Sequence, residues 1–169
     1  MNNIKRNPGD NIGGHRMFLF IPVEDVESIP DAVNMVVSED IELKTDKAWY
    51  YGLFTQDTHG YVEPMEENEA GPYYKKKLTG FISTVTKEMT ALIEDFESRL
   101  FVLISLDNNG NLRLIGSLNE PMRVSIDETS QDNAAGRSGY SVMFRRDSTF
   151  KSYFYEPETT INWNSYAAE

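Results

Sequence analysis

Residues 100–116, LFVLISLDNNGNLRLIG, decide how the chain is to be read. Two nearly continuous apolar runs flank a polar tip, DNNGN, which is a calcium loop, a ligand-binding tip or the turn of a hairpin. Asp107, Asn109 and Asn111 match positions 1, 3 and 5 of a helix-loop-helix calcium loop. The match ends there, because the glycine required at position 6 is Leu112 and the bidentate glutamate required at position 12 is Leu118. A single carboxylate also carries too little charge to hold calcium tightly. The hairpin reading fits residue by residue: Asn109 and Gly110 supply the two positive-φ positions of a type I′ turn. That register places Asn108 opposite Asn111, Leu106 opposite Arg113, Ile104 opposite Ile115 and Leu103 opposite Gly116. Strands so apolar on successive residues need cover on both faces.

One cover is an amphipathic helix over about residues 84–98. Val85, Met89, Leu92, Ile93 and Phe96 recur at helical offsets, with Lys87, Glu88, Thr90, Glu94 and Asp95 mostly on the other side. Thr84 or Thr86 is the expected N-cap. A lone helix of about twelve residues cannot bury its own stripe, so it must pack on a sheet. Short alternating runs elsewhere read as strands: residues 17–21 ending at Pro22, two strands around a turn at Lys44–Lys47, MRVSI, YSVMFRRD and FKSYFYE. In the last but one, Tyr140, Val142 and Phe144 oppose Ser141, Met143 and Arg145. The expected class is mostly β, a β-sandwich or barrel with one flanking α-helix, in the α+β sense.

The domain plan that follows is an extended N-terminal arm (1–14), one β-rich domain (15–156) and a C-terminal tail (157–169). Residues 1–14 hold Pro8, Gly9, Gly13 and Gly14 among polar residues and would order only against a partner. Residues 57–72 and 127–139 read as long exposed loops. The first is acidic, with Glu63, Glu66, Glu67 and Glu69. The YYKKKLTGFI run after it has no cleanly apolar face and reads as an edge strand protected by lysines or as a strand whose outer face meets another subunit.

With 169 residues the chain can bury a sizeable core, and with no cysteine it has neither disulfides nor thiol chemistry. Its net charge of −11 opposes a grip on a nucleic-acid backbone. No apolar run approaches the roughly 18 residues that span a bilayer, and the start lacks a signal-peptide core, so a soluble, cytoplasmically made protein is expected. His15 and His59 show no metal-ligand spacing and no nucleophile-base arrangement accompanies them, so neither catalysis nor a metal or other cofactor is expected. Carboxylates on a Gly/Pro-bounded loop do not make a rigid glycosidase pair. The glycine pairs near residues 13 and 139 lack the lysine of a phosphate loop. The nine Tyr, nine Phe and two Trp exceed what one sandwich core easily absorbs. Trp49, Tyr50, Tyr73, Tyr74, Tyr153 and Tyr155, with Tyr51 and Phe154, are therefore candidate subunit-interface aromatics, or, in a sharper alternative, sugar-stacking residues.

The element order and three strings, GGHRMFLFIPVEDVESIP, YYKKKLTGFISTVTKEMTALIEDFESRLFVLISLDNNGNLRLIGSLNEPMRVSI and AAGRSGYSVMFRRDS, resemble small tail structural proteins of tailed bacteriophages and prophages. The likeness spans roughly residues 13–148. Ser83 departs from it, standing where those proteins carry a charged residue or proline, and the last 20 residues fall outside it. The resemblance implies a β-sandwich or barrel with a flanking helix, forming homo-oligomeric, hexameric rings of a tail tube or its capping or adaptor region, with no catalytic residues. It implies a virion location, contacts with neighbouring tail proteins, and DNA that slides past without specific binding, to which an acidic lumen would contribute. Glu63, Glu66, Glu67 and Glu69 are then candidates for a lumen-facing or subunit-bridging loop. No membrane or small-molecule substrate is expected. The alternative function is a soluble carbohydrate- or receptor-binding β module.

Overall fold

The computed structural model describes residues 14–83, 87–129, 138–159 and 161. The arm before residue 14 and most of the tail after 159 lie outside them. In chain order the elements are β1 (His15–Pro22), a 3₁₀ turn (Val23–Asp25), β2 (Val26–Ser28), β3 (Val36–Val37), β4 (Glu42–Leu43), β5 (Tyr50–Gly52), β6 (Gly60–Val62), β7 (Met65–Asn68) and β8 (Gly71–Ile82). There follow α1 (Lys87–Ser98), β9 (Leu100–Asp107), β10 (Leu112–Ile115), β11 (Met122–Thr129), β12 (Gly139–Ser148) and β13 (Tyr153–Tyr155). The fold is mostly β with a single helix.

β9 is the axis. β1 runs antiparallel along one edge, from His15 opposite Asp107 to Pro22 opposite Phe101. The other edge is shared by β10, opposite residues 103–106, and the start of β11, opposite 100 and 101. From β11 the sheet continues through β12 and β8 to β6, and from β10 through β13 to β3; β5 adds to the outer edge of β1. Successive side chains of β1 and β9 enter different cores, as period-2 geometry requires. Phe18, Phe20, Phe101 and Leu103 pack with Leu78, Val124, Val142 and Phe144. Leu19, Ile21, Val102 and Ile104 pack with Val26, Val37, Ile41, Leu114 and Tyr155.

The first core is wrapped by the sheet itself. The Thr55 amide donates to the Phe81 carbonyl (2.7 Å), and the Phe81 amide donates to Thr58 Oγ1 (3.1 Å). The chain leaving β5 is thus stitched to β8, at the far end of the strand order. Gly80 makes this possible. Phe54 lies over it, stacked on Phe18 with centroids 4.9 Å apart, and a Cβ at Gly80 would fall 2.1 Å from the Phe54 ring. α1 covers part of the open end: Phe96 stacks on Phe101 (5.3 Å) and meets Phe20 (5.2 Å).

Several expectations are corrected. The hairpin at Asn109 and Gly110 is present, but its register differs by one residue: Leu112 faces Leu106, Leu114 faces Ile104 and Ile115 faces Leu103. Asp107 is the cause. Its carboxylate accepts the amides of Asn109 (2.9 Å) and Asn111 (2.8 Å), the Gly110 amide donates to its carbonyl (3.1 Å), and positive φ is found at Gly110 (85°) but not at Asn109. The result is a three-residue loop with glycine in its left-handed position, in place of a type I′ turn. α1 begins at Lys87 among the described residues and lies over β11 and the start of β9, so it covers the hairpin only near Phe101.

Residues 57–72 are mostly strand, since β6 and β7 both pair with β8. β8 is therefore no edge strand: β12 lies along its other side, and Lys76 faces inward with Leu78 at 6% exposure. β4 and β5 flank the Lys44–Lys47 turn as expected but do not pair with each other; β4 pairs with β2. The loop expected from residue 127 begins later, because β11 runs to Thr129.

The Phe54–Gly80 contact holds the sheet's two ends together, so Gly80→Val should cost about 1–3 kcal/mol by urea denaturation through overpacking. Gly110→Ala, where there is open space but a positive φ, should cost about 1 kcal/mol. A Gly80→Val protein as stable as the wild type would refute the role given to this contact.

Candidate functional site

The acidic segment forms a ribbon. Met65 faces Tyr74, Glu66 faces Tyr73, Glu67 faces Pro72 and Asn68 faces Gly71. β12 ends opposite Tyr74, so residues 66–73 pair only with each other among the described strands and reach beyond the sheet. All four β7 residues are exposed. One side of the ribbon is pinned: Glu66 accepts Tyr73 Oη (2.8 Å) and binds Lys75 Nζ (2.7 Å). Hydrogen bonds from Lys75 and Tyr73 hold the Glu66 carboxyl below its ordinary range.

The four candidate glutamates do not act together. Glu63 is turned into the fold, where Oε1 accepts the Ser152 amide (2.6 Å) and Tyr61 Oη (3.1 Å). Glu67 and Glu69 are exposed.

The candidate aromatics divide similarly. Tyr155 is core, at 5% exposure, and its hydroxyl accepts the Ile41 amide (3.3 Å). This corrects its assignment to an interface; Trp49 and Tyr153 also pack against that core, half-buried. Tyr73 and Tyr74 are half-buried on the ribbon, with Lys75 and Lys151 over their rings. Tyr50 alone of the six is well exposed, at 55%, yet it stacks on Phe20 at 5.6 Å.

Tyr50 stands beside a cleft of about 990 Å³ between β5 and α1, floored by Phe18, Phe20, Phe101 and Phe144. Asp25 with Lys47 (2.8 Å), and Arg99 with Asp95 and Glu24 (3.1 Å each), form ion pairs at its rim.

At the other end of β1 the structure joins two residues that the sequence keeps 44 positions apart. His15 and His59 lie with ring centroids 5.1 Å apart. His15 Nδ1 bonds Ser105 Oγ (2.8 Å), while His59, at 8% exposure, packs between Phe18 and Phe54 and neither ring nitrogen has a partner among the described residues. Burial, and secondarily the His15 charge, press the His59 pKa down to about 3, and burial also lowers that of His15. The Asp107 carboxyl, which burial alone would raise, is held low by the Asn111 and Asn109 hydrogen bonds. Its oxygens accept the Asn109 and Asn111 amides and the Asn111 side-chain amide of the turn.

Among the described residues no three His, Asp or Glu side chains gather as metal ligands, and no helix is long and apolar enough to cross a membrane. Sequence spacing had no means of bringing the two histidines together, since His15 lies on β1 and His59 just before β6, and these two strands are not paired. Lys76 was more accessible to reasoning: period 2 from Leu78 puts it on the buried face. Comparisons with protein-family models, curated proteins and solved structures found no match.

A His59 that is neutral when folded and protonated when unfolded lends full stability above pH 6.5, and this is lost as pH falls toward 3. Between pH 7.5 and pH 5 the wild type should lose about 2 kcal/mol more than His59→Phe, measured by urea denaturation at each pH. Equal losses would show that His59 is not buried neutral.

Proposed function

We propose that the chain is a structural subunit of a phage tail that assembles into rings around the DNA channel. The observation that carries this reading is the β7–β8 ribbon: two strands, exposed along all of β7, that run on past the end of β12 with no cover among the described residues. An isolated two-stranded ribbon is marginal in water, so one extended this far fits a place against another subunit. The resemblance of the sequence to small tail proteins and the mostly β fold with one flanking helix are consistent with it. So is the net charge of −11, which would keep DNA from adhering to a channel wall.

A second reading, a carbohydrate- or receptor-binding β module, is favoured by Tyr50 alone, exposed at the rim of the aromatic cleft. Light scattering and negative-stain imaging separate the two: rings or tubes at high concentration support the first, and a stable monomer that binds glycans supports the second.

The ribbon's part is tested by replacing residues 66–73 with an Asn-Gly turn between the facing Met65 and Tyr74. The variant should fold with native circular dichroism and remain monomeric where the wild type forms rings. Rings of unchanged size would overturn the ribbon's role.

A further inference from the structure

We propose that the outer face of the sheet at Arg123, Arg145 and Lys77 receives the acidic β7–β8 ribbon of a second copy of this chain. The proposal rests on the assembly reading above and names the surface that the ribbon meets.

Three cations stand in one row across three neighbouring strands. Arg123 of β11 faces Arg145 of β12, and Arg145 in turn faces Lys77 of β8. All three are exposed, and their sequence neighbours Met122, Val124, Phe144, Lys76 and Leu78 are buried, so period 2 turns the row away from the core. Strands about 4.8 Å apart bring the three residues within about 10 Å. Among the described residues none of the three forms an ion pair, and neither does Asp147, two residues beyond Arg145 on the same face. Like charges directly opposite one another weaken a sheet. In a chain with 27 acidic and 16 basic residues, such a row costs the single subunit stability that a docked anionic surface offsets.

The ribbon has the complementary charge. Glu67 and Glu69 are exposed and form no ion pair among the described residues, while Glu66 is held by Lys75. Distance assigns the contact to another copy. Glu67 faces Pro72, and Lys77 lies five residues along the same strand, about 17 Å away, with the ribbon tip at Asn68 and Gly71 on the far side. The pairing of β7 with β8 fixes that separation, so a ribbon cannot touch its own row. Two different surfaces therefore meet, and a contact of that kind repeats from copy to copy, closing rings or extending tubes. Opposite charge fixes its register. A ribbon brings a few carboxylates to the row, whereas a nucleic-acid backbone would bring a dense line of phosphates against a net charge of −11.

The test uses the full chain, with association followed by sedimentation velocity. Arg145→Glu sets a carboxylate between Arg123 and Lys77, so the subunit should resist urea at least as well as the wild type while its association weakens about tenfold. Arg123→Glu/Arg145→Glu should fail to assemble, and so should Glu67→Lys/Glu69→Lys. An equal mixture of these two double variants should assemble with copies alternating, because each ribbon then meets a row of opposite charge.

Wild-type-like association of Arg145→Glu would overturn the proposal while leaving the assembly reading intact. So would a mixture that stays dissociated, which marks a row and a ribbon that never meet. Loss of binding to a labelled DNA duplex in Arg145→Glu with association unchanged would overturn it too, and give the row to nucleic acid. A wild type that is monomeric at every concentration would overturn the assembly reading itself.

Discussion

Everything in this fold answers to β9. Its residues 101–106 are all buried, with Phe101 and Leu103 in one core and Val102 and Ile104 in the other, so neither face of the strand can meet solvent. A central antiparallel strand of that kind must be covered twice. On one side the sheet curls round, through β11, β12 and β8, until the chain beyond β5 reaches β8 at Thr55 and Phe81. On the other, β13 and the short strands between residues 26 and 43 lie across Leu19, Ile21, Val102 and Ile104. Deleting a large side chain from such a position, Leu103→Ala for instance, belongs to the class of changes that cost roughly 2–5 kcal/mol.

Polar chemistry is pushed to the ends of the barrel-like wall. At one end His15, His59, Tyr61 and Asp107 crowd against the first core, and burial drives the histidines toward neutrality and the Tyr61 hydroxyl away from ionisation, against the hydrogen bond from Ser152. Further along the same inward face Lys76 stands opposite Arg146, with Glu63 and Glu120 favouring its charge against desolvation. Glu120 is itself bound by the Ser148 hydroxyl and by Thr149 through amide (3.2 Å) and hydroxyl (3.0 Å). These groups are tied into the scaffold. The acidic ribbon and the aromatic cleft, by contrast, lie at edges of the sheet, beside β7 and β5.

The double burial of β9 was legible in the sequence, because LFVLIS allows no polar face. So was the inward set Tyr140, Val142 and Phe144, where clean alternation fixes the faces, and the last turns of α1, where Ile93 and Phe96 are half-buried as their spacing requires. What escaped reading depended on side chains acting on the backbone or on distant pairing. The Asp107 carboxylate moved the hairpin by one residue. The glutamate-rich segment pairs as a strand with β8, where Glu66 meets Tyr73 and Lys75 across the ribbon. Tyr155 looked like an interface residue because the aromatics outnumber what one sandwich core absorbs, yet it fills a second core.

Hydrogen exchange followed as a function of protein concentration tests the assembly account most directly. Amides of β9, enclosed on both faces and both edges, should exchange slowly at every concentration. Those of β7, exposed in the single subunit, should exchange quickly when dilute and become at least tenfold more protected as rings form. Unchanged exchange in β7 across conditions where the particle mass rises would contradict an assembly built on the ribbon.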